Sequence, residues 1–316
     1  MQPKYLVSLA GGLGNQLFQL AAALSIFGKS NFGIEWSLGS PRLNNNSQPE
    51  LSNFNLPNNV AFENIRKVNY LEKKLGNLTL RSIANGKQAK MRISAWNAVN
   101  LFSISLLKSF FWQGYRFVAH PGVGYEDINF EPIENTILIG YFQSYKWVCD
   151  GTTLNKISSI LLKEESEDLR LLKLVANYEK PLILHLRLGD YLNEVNFGIP
   201  SLEYYENATR KLWDTGKYEK IWIFSDEPKI AKQKLPNWIL ELARWVNIDN
   251  NQAASNLQAM RYGFGYVISN STFSWWGAIL SFDQNAEVIA PTPWFKAIPE
   301  PKDLIPENWK RVPAVM

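Results

Sequence analysis

Leu182-Ile-Leu-His-Leu-Arg-Leu-Gly-Asp-Tyr191 is the stretch from which the fold can be read. An apolar run ends in His185, Arg187 and Asp190, spaced two and three apart, with Gly189 among them. Apolar runs of this length read as interior strands covered on both faces. In α/β proteins the groups that meet ligands gather where such strands end. Arg is the side chain that can bridge two phosphate oxygens with a planar fork. A polar cluster holding the interior together would use the same residue types, and His185 by itself could be a satisfied core histidine.

Working outward, strands and helices alternate. Ser201 caps a helix reaching about Trp213. Residues 220–225 form a strand ending at Ser225 and Asp226, 228–243 a short helical piece, and 245–249 a further strand. A helix over 253–262 leads to a strand over 265–269, which ends at Asn270-Ser-Thr. A helix over 275–281 and a strand over 287–290, halted by Pro291 and Pro293, complete the block. The first half begins the same way. Residues 4–10 read as a strand, Gly11-Gly-Leu-Gly14-Asn15-Gln16 as a tight turn, and 17–27 as a buried helix closed by Gly28. A second strand fits 32–36, a loop rich in Asn, Ser and Pro 40–60, an amphipathic helical region 61–116, and a strand with a polar end 136–143. A boundary falls near Asp150-Gly151, and a charged amphipathic helix fits 154–177. Such alternation predicts parallel sheets with helices on both faces. Two blocks predict two Rossmann-like domains facing a central cleft, residues 1–152 and 153–316, where a last helix could pack back on the first domain.

Composition narrows the class. With 316 residues, 46% of them hydrophobic, two cores are affordable. The 12 Trp are mostly core, although aromatic faces also suit sugars. A net charge of +4 fits an anionic small ligand or weak peripheral attraction to a membrane surface, and argues against a dedicated nucleic-acid binder. One cysteine, Cys149, excludes an internal disulfide or a Cys-based metal cage, and two histidines disfavour a His-rich one. Nothing resembles a signal segment or a spanning helix, so a cytoplasmic location is expected, extending to the inner face of the membrane.

Three motifs carry chemistry. The glycine turn resembles a dinucleotide fingerprint only loosely, because G-x-G-x-x-G spacing is missing and Glu35 is the sole acid near a second strand end. Asp226 could accept from a nucleoside or cap the helix starting at Pro228. Ser271 and Thr272 could cradle an anion at a helix start or simply cap it. Trp275 and Trp276 read as packing. Together, three polar strand ends suit a nucleotide carrying a pyrophosphate. No carboxylate-rich loop offers itself to a metal, so Arg and backbone dipoles would have to stabilise the leaving group.

At these residues the chain resembles the bacterial α-1,2-fucosyltransferases of glycosyltransferase family 11. The resemblance runs through Gly11-Gly-Leu-Gly-Asn-Gln-Leu-Phe-Gln19, Gly140-Tyr-Phe-Gln-Ser144, His185-Leu-Arg-Leu-Gly-Asp-Tyr191, Phe224-Ser-Asp226 and Asn270-Ser-Thr-Phe-Ser-Trp-Trp-Gly-Ala278. It continues to Val288-Ile-Ala-Pro291 and Trp294-Phe295, and is thinnest over 40–130. It implies a GT-B-type fold, GDP-fucose as donor, inversion at the anomeric carbon and no required metal or other cofactor. By position, Arg187 would hold the pyrophosphate, His185 line the donor pocket, and Asp190 orient Arg187 or meet the sugar. Asn15, on the turn of Gly12 and Gly14, would reach the fucose or its phosphate. Ser225 and Asp226 would serve the guanosine. Asn270, Ser271, Thr272 and Phe273 would embrace the phosphates. One departure is Leu188, where many members carry a second Arg.

The expected activity is transfer of L-fucose from GDP-β-L-fucose to a glycan hydroxyl, O2 of a terminal galactose on an oligosaccharide or glycolipid. Asp190 and Glu194 are the nearest base candidates, and the family analogy also allows none. Another GDP-sugar donor is the alternative within enzymes. A nucleotide-dependent oxidoreductase and a non-catalytic sugar-binding module are the alternatives outside that class.

Overall fold

A computed structural model describes residues 4–39, 41–62, 109–112, 114–120, 123–128, 135–189, 198–248, 252–297 and 299–316. The chain divides into two compact units, Met1–Ile160 with Pro301–Leu304, and Leu161–Glu300 with Ile305–Met316. Among the described residues no helix is long and apolar enough to cross a membrane.

The first unit contains β1 (Tyr5–Ser8), α1 (Leu13–Phe27), β2 (Phe32–Glu35), β3 (Val60–Phe62), β4 (Ser109–Trp112), β5 (Tyr115–Ala119), β6 (Thr136–Ile139) and α2 (Thr152–Ser158). Its sheet runs β3-β2-β1-β6-β5-β4. The pairs are parallel except for β4 with β5. β1, β2 and β6 are buried throughout, as strands covered on both faces must be. α1 is buried over most of its length, with Ala21, Ala22 and Ala23 fully so, which fits a helix apolar almost all round. Past its end, Lys156 Nζ donates to the carbonyl of Gly28 at 3.1 Å, placing a cation at the negative helix pole.

The second unit contains α3 (Glu167–Glu179), β7 (Leu182–Leu186), α4 (Leu202–Trp213), β8 (Ile221–Ser225), α5 (Pro228–Lys234), α6 (Asn237–Glu241) and β9 (Ala243–Trp245). It continues with α7 (Ala253–Met260), β10 (Gly265–Val267), α8 (Thr272–Ile279), β11 (Glu287–Thr292) and β12 (Lys310–Pro313). Its sheet runs β12-β11-β10-β7-β8-β9, with every neighbouring pair parallel. From β7 the chain winds one way through β8 and β9, then the other way through β10, β11 and β12. The reversal falls between β7 and β10, and in the first sheet between β1 and β6. Ligands of doubly wound sheets bind outside the carboxyl ends of the strands at such reversals. The period of two along β7 divides its side chains. Leu182, Leu184 and Leu186 enter the core with Tyr204, Tyr205 and Leu212 of α4, each leucine contributing about 1.5–3 kcal/mol by burial. His185 goes to the opposite face, toward Phe273 of α8.

Several elements differ from the sequence expectation. The helix expected over 154–177 is two helices, because Ser166 caps a new one by accepting from Leu169 N at 3.3 Å. The helix expected over 275–281 starts earlier, at Thr272. The last strand of the 220–249 stretch is Ala243–Trp245 rather than 245–249, with Ala243 in register with Ile221. Pro291 does not halt β11. Ile289 faces β10, since its carbonyl accepts from Ile268 N, so Pro291 points the same way beyond the end of β10 and its missing N–H costs no ladder bond. At the described ends of the helical region expected over 61–116 lie β3, β4 and β5; the rest of it, 63–108, lies outside the described residues. The expected last helix is absent among the described residues after Thr292, where edge strand β12 stands instead. The segment belonging to the first unit is Pro301–Leu304. There Tyr145 N donates to Asp303 O at 2.9 Å, and Ser144 Oγ lies 2.9 Å from the Asp303 carboxylate.

Candidate functional site

In the second unit, Arg187 follows β7 directly and its Nε lies 3.2 Å from Asp226 Oδ2, at the end of β8. Asp226 also accepts from Leu188 N at 2.8 Å and Gly189 N at 3.1 Å. A side chain at Gly189 would put its Cβ 3.0 Å from the same carboxylate oxygen, so the turn closes tightly around it. Both oxygens of Asp226 thus organise the turn after β7, and one of them, Oδ2, also pairs with the guanidinium. Asp226 is not the cap of α5: the N-cap position is Glu227, whose amide donates to Ser225 Oγ at 3.1 Å. Exposed ion pairs are worth little, but here both side chains are only about one-fifth exposed and two amides share the carboxylate. Leu188 is buried in the core with α4. Asp190 and Glu194 lie outside the described residues.

His185 is almost fully buried, its Nδ1 3.0 Å from Ser269 Oγ, which in turn lies 3.3 Å from Ser274 Oγ. Burial first, and the Arg187 charge second, push its pKa down to about 3, so the imidazole is neutral. Asn270 is spent on structure, donating from Nδ2 to Gly198 O at 3.0 Å and Trp294 O at 3.2 Å. Ser271 caps α8, accepting from Phe273 N at 3.3 Å. Thr272 and Phe273 are half-buried in the first turn, where backbone N–H groups and the helix dipole favour negative charge. Trp275 and Trp276 are fully buried, as packing residues should be.

In the first unit, Gly11 takes φ 73, and a Cβ there would meet Asn15 Nδ2 at 2.4 Å. Two residues outside the expected set tie this turn down. Gln16 Nε2 donates to Gly11 O and Arg42 O, both at 3.0 Å, while its Oε1 accepts from Leu51 N at 3.0 Å. Gln19 accepts from Ala10 N at 3.0 Å and donates to Gly140 O at 2.8 Å, joining the ends of β1 and β6. Gln143 Nε2 donates to Asn15 Oδ1 at 2.9 Å, so Asn15 is oriented at the reversal point of this sheet. Gly12 is the N-cap of α1 and Gly14 is buried in its first turn. The Leu13 amide donates to Glu50, a buried carboxyl whose pKa is raised by desolvation against the opposing pull of Arg42 and this bond. One of the first N–H groups of α1 is therefore already taken. Glu35 is saturated too. It accepts from Ser8 Oγ and Leu38 N, each at 3.0 Å, and from the amide and hydroxyl of Ser37. The one acid the sequence offered at a second strand end is therefore already occupied, which counts against a dinucleotide-dependent oxidoreductase.

The structure therefore gathers His185, Arg187, Ser225, Asp226, Asn270, Ser271, Thr272 and Phe273 at the carboxyl ends of β7, β8 and β10, and Gly12, Gly14 and Asn15 after β1. Gln16, Gln19, Gln143, Ser269, Ser274 and Glu50 hold these residues in place, and the sequence reading gave them no role. Polar residues inside an otherwise apolar helix, as in α1, were the available signal for the first two.

The sequence profile of glycosyl transferase family 11 matches residues 5–311. The chain is 25% identical over 311 residues to the O-antigen biosynthesis glycosyltransferase WbnK of Escherichia coli, covering 91% of this chain and 93% of that one. It is 33% identical over 135 residues, 41% of this chain and 46% of that one, to an alpha-1,2-colitosyltransferase of the same organism. Among solved structures it resembles the fucosyltransferase NodZ from Bradyrhizobium, with TM-score 0.50, 13% identity, and 90% and 96% of the two chains covered. It also resembles NodZ alpha-1,6-fucosyltransferase co-crystallized with GDP, with TM-score 0.52, 13% identity, and 89% and 93% covered. At such identity the likeness shows the fold, which is of the GT-B glycosyltransferase type.

Proposed function

The chain belongs to glycosyl transferase family 11, and from that premise we propose that it transfers L-fucose from GDP-β-L-fucose to O2 of a terminal galactose, with inversion and without a metal. The observation that carries the reading is Arg187, held through Nε by Asp226 at the reversal point of the second sheet. A guanidinium tethered there is prepared to take the charge that builds on a departing diphosphate. The backbone N–H groups opening α8, beside Thr272 and Phe273, add to that stabilisation. The acceptor hydroxyl attacks the anomeric carbon opposite the leaving GDP, through a transition state of oxocarbenium character. With a leaving group so well stabilised, a strong base matters less; Asp190 and Glu194 are the candidates for one. Asn15, oriented by Gln143, is assigned to the fucosyl group or its phosphate. The acceptor is a galactose-terminated oligosaccharide or glycolipid.

A second donor is favoured by one observation, the similarity to a protein named as an alpha-1,2-colitosyltransferase. The same linkage with a different GDP-sugar would use the same nucleotide contacts. Calorimetric titration of GDP with and without EDTA tests the shared part. Equal binding in both is expected. Loss of binding in EDTA would refute metal independence, and tighter binding of UDP would refute the donor class. Competition between GDP-fucose and other GDP-sugars then separates the two readings.

A further inference from the structure

We propose that the turn after β6 is a subsite for the acceptor sugar, in which the Gln143 carboxamide binds a sugar hydroxyl and Phe142 is the positioning residue that holds it there. That the sugar is a galactose rests on the function proposed above; the existence of the subsite does not.

Phe142 has φ 51, in the left-handed region that bulky side chains rarely enter. It is fully buried, its ring stacked on His120 with centroids 4.8 Å apart and set edge-on to Trp147 at 6.1 Å. Strain of this kind persists only where the surroundings impose it, and it gathers at sites that meet ligands. Here the surroundings do impose it. Ser144 N donates to Phe142 O and Gly124 N to Gln143 O, both at 2.9 Å, and Ser144 Oγ is bonded to Asp303. Gly140, Phe142 and Ser144 are buried, while Tyr141 and Gln143 between them stay half-buried. The strained residue thus sinks its own ring and leaves its two neighbours accessible at the strand end.

What those neighbours offer is uncharged. Gln143 Nε2 reaches Asn15 Oδ1 at 2.9 Å. Among the described residues Gln143 Oε1 makes no hydrogen bond, and neither does the Tyr141 hydroxyl. Were the amide turned over, the atom left would be a donor, and a hydroxyl serves either. Tyr141 packs beside Ala10 and Ile139, at the ends of β1 and β6, where the first sheet reverses. Lys146, the cation nearest in sequence, lies over the Tyr125 ring, 5.4 Å from its centroid. An amide and a phenol suit a ring that carries hydroxyls and a C–H face better than they suit a diphosphate. Asn15 is assigned to the fucosyl group or its phosphate, so Gln143, one hydrogen bond further on, falls to the sugar that receives the fucose.

The test uses the full chain and lactose as a galactose-terminated probe, titrated by saturation-transfer NMR with GDP present, while GDP is titrated separately by calorimetry. The wild-type protein is expected to bind both. Gln143→Met keeps the length of the side chain and loses the amide. It should weaken lactose roughly tenfold, the worth of about one hydrogen bond, with a smaller change for GDP. Phe142→Leu keeps an apolar group in the core, loses the ring stack, and should weaken lactose likewise. Unchanged lactose affinity in Gln143→Met overturns the subsite, and GDP weakened as much as lactose overturns the acceptor assignment. Unchanged lactose affinity in Phe142→Leu removes the positioning role. A wild-type protein that binds GDP but not lactose overturns the proposal and leaves the donor reading standing. If GDP does not bind, the donor reading fails, and lactose titrated alone still decides the subsite.

Discussion

Arg187 and His185 stand two residues apart and behave oppositely: one keeps its charge and is held by Asp226, the other is kept neutral by burial. Replacing Arg187 by Lys preserves charge but loses the planar fork and the Nε contact. If the guanidinium stabilises the leaving group, turnover should fall roughly 10²–10³-fold with a smaller change in donor KM. Steady-state kinetics decide this, and wild-type turnover would remove Arg187 from the reaction. His185 makes a separate, thermodynamic prediction. Its folded pKa is depressed to about 3 from 6.5, so the unfolded chain takes up a proton that the folded protein refuses. Its contribution to stability is complete above 6.5 and is lost as pH falls from there toward 3, with a slope approaching about 1.4 kcal/mol per pH unit. Chemical denaturation from just above to well below the upper limit should show His185→Gln with a flatter profile than wild type. Identical slopes would show that the ring is not buried neutral. Arg187 was legible from residue type and place. The Asp226 contact was not, because it joins two strand ends whose adjacency only the sheet order reveals.

At the scale of elements, the turn between β1 and α1 depends on Gly11 twice over. Its backbone lies in the left-handed region, where an L residue costs roughly 1–2 kcal/mol, and its missing Cβ leaves the space that Asn15 occupies. Gly11→Ala should therefore lower the melting temperature and displace Asn15 as well. Thermal melts with activity measured well below the transition check both. If activity there equals wild type, Asn15 has no part in the reaction. Strands with long buried runs, such as β7 and β8, could be read from sequence because both faces are apolar. β4 and β5 could have been, since aromatic-rich runs flank Gly114 at φ 80. β12 could not: Lys310-Arg-Val-Pro313 is a short, charged edge strand defined only by its pairing with β11.

At the scale of the whole molecule, strand–helix alternation predicted two doubly wound sheets, and each sheet reverses direction beside the strand that carries its motif. That coincidence is why the candidate site was readable at all: strand ends at a reversal are the places where side chains can face a ligand without giving up a ladder bond. That Pro301–Leu304 belongs to the first unit left no such trace, because its contacts there, hydrogen bonds of Ser144 and Tyr145 to Asp303 among them, join residues far apart in sequence. The central claim is that this arrangement moves fucose from a guanosine diphosphate. Incubating the protein with GDP-fucose and galactose-terminated acceptors, with mass spectrometry and linkage analysis of the products, tests it most directly. The account predicts an acceptor heavier by one deoxyhexose, attached at O2 of galactose, with stoichiometric release of GDP. Transfer from a nucleotide sugar of another base, with GDP-fucose left intact, would contradict it.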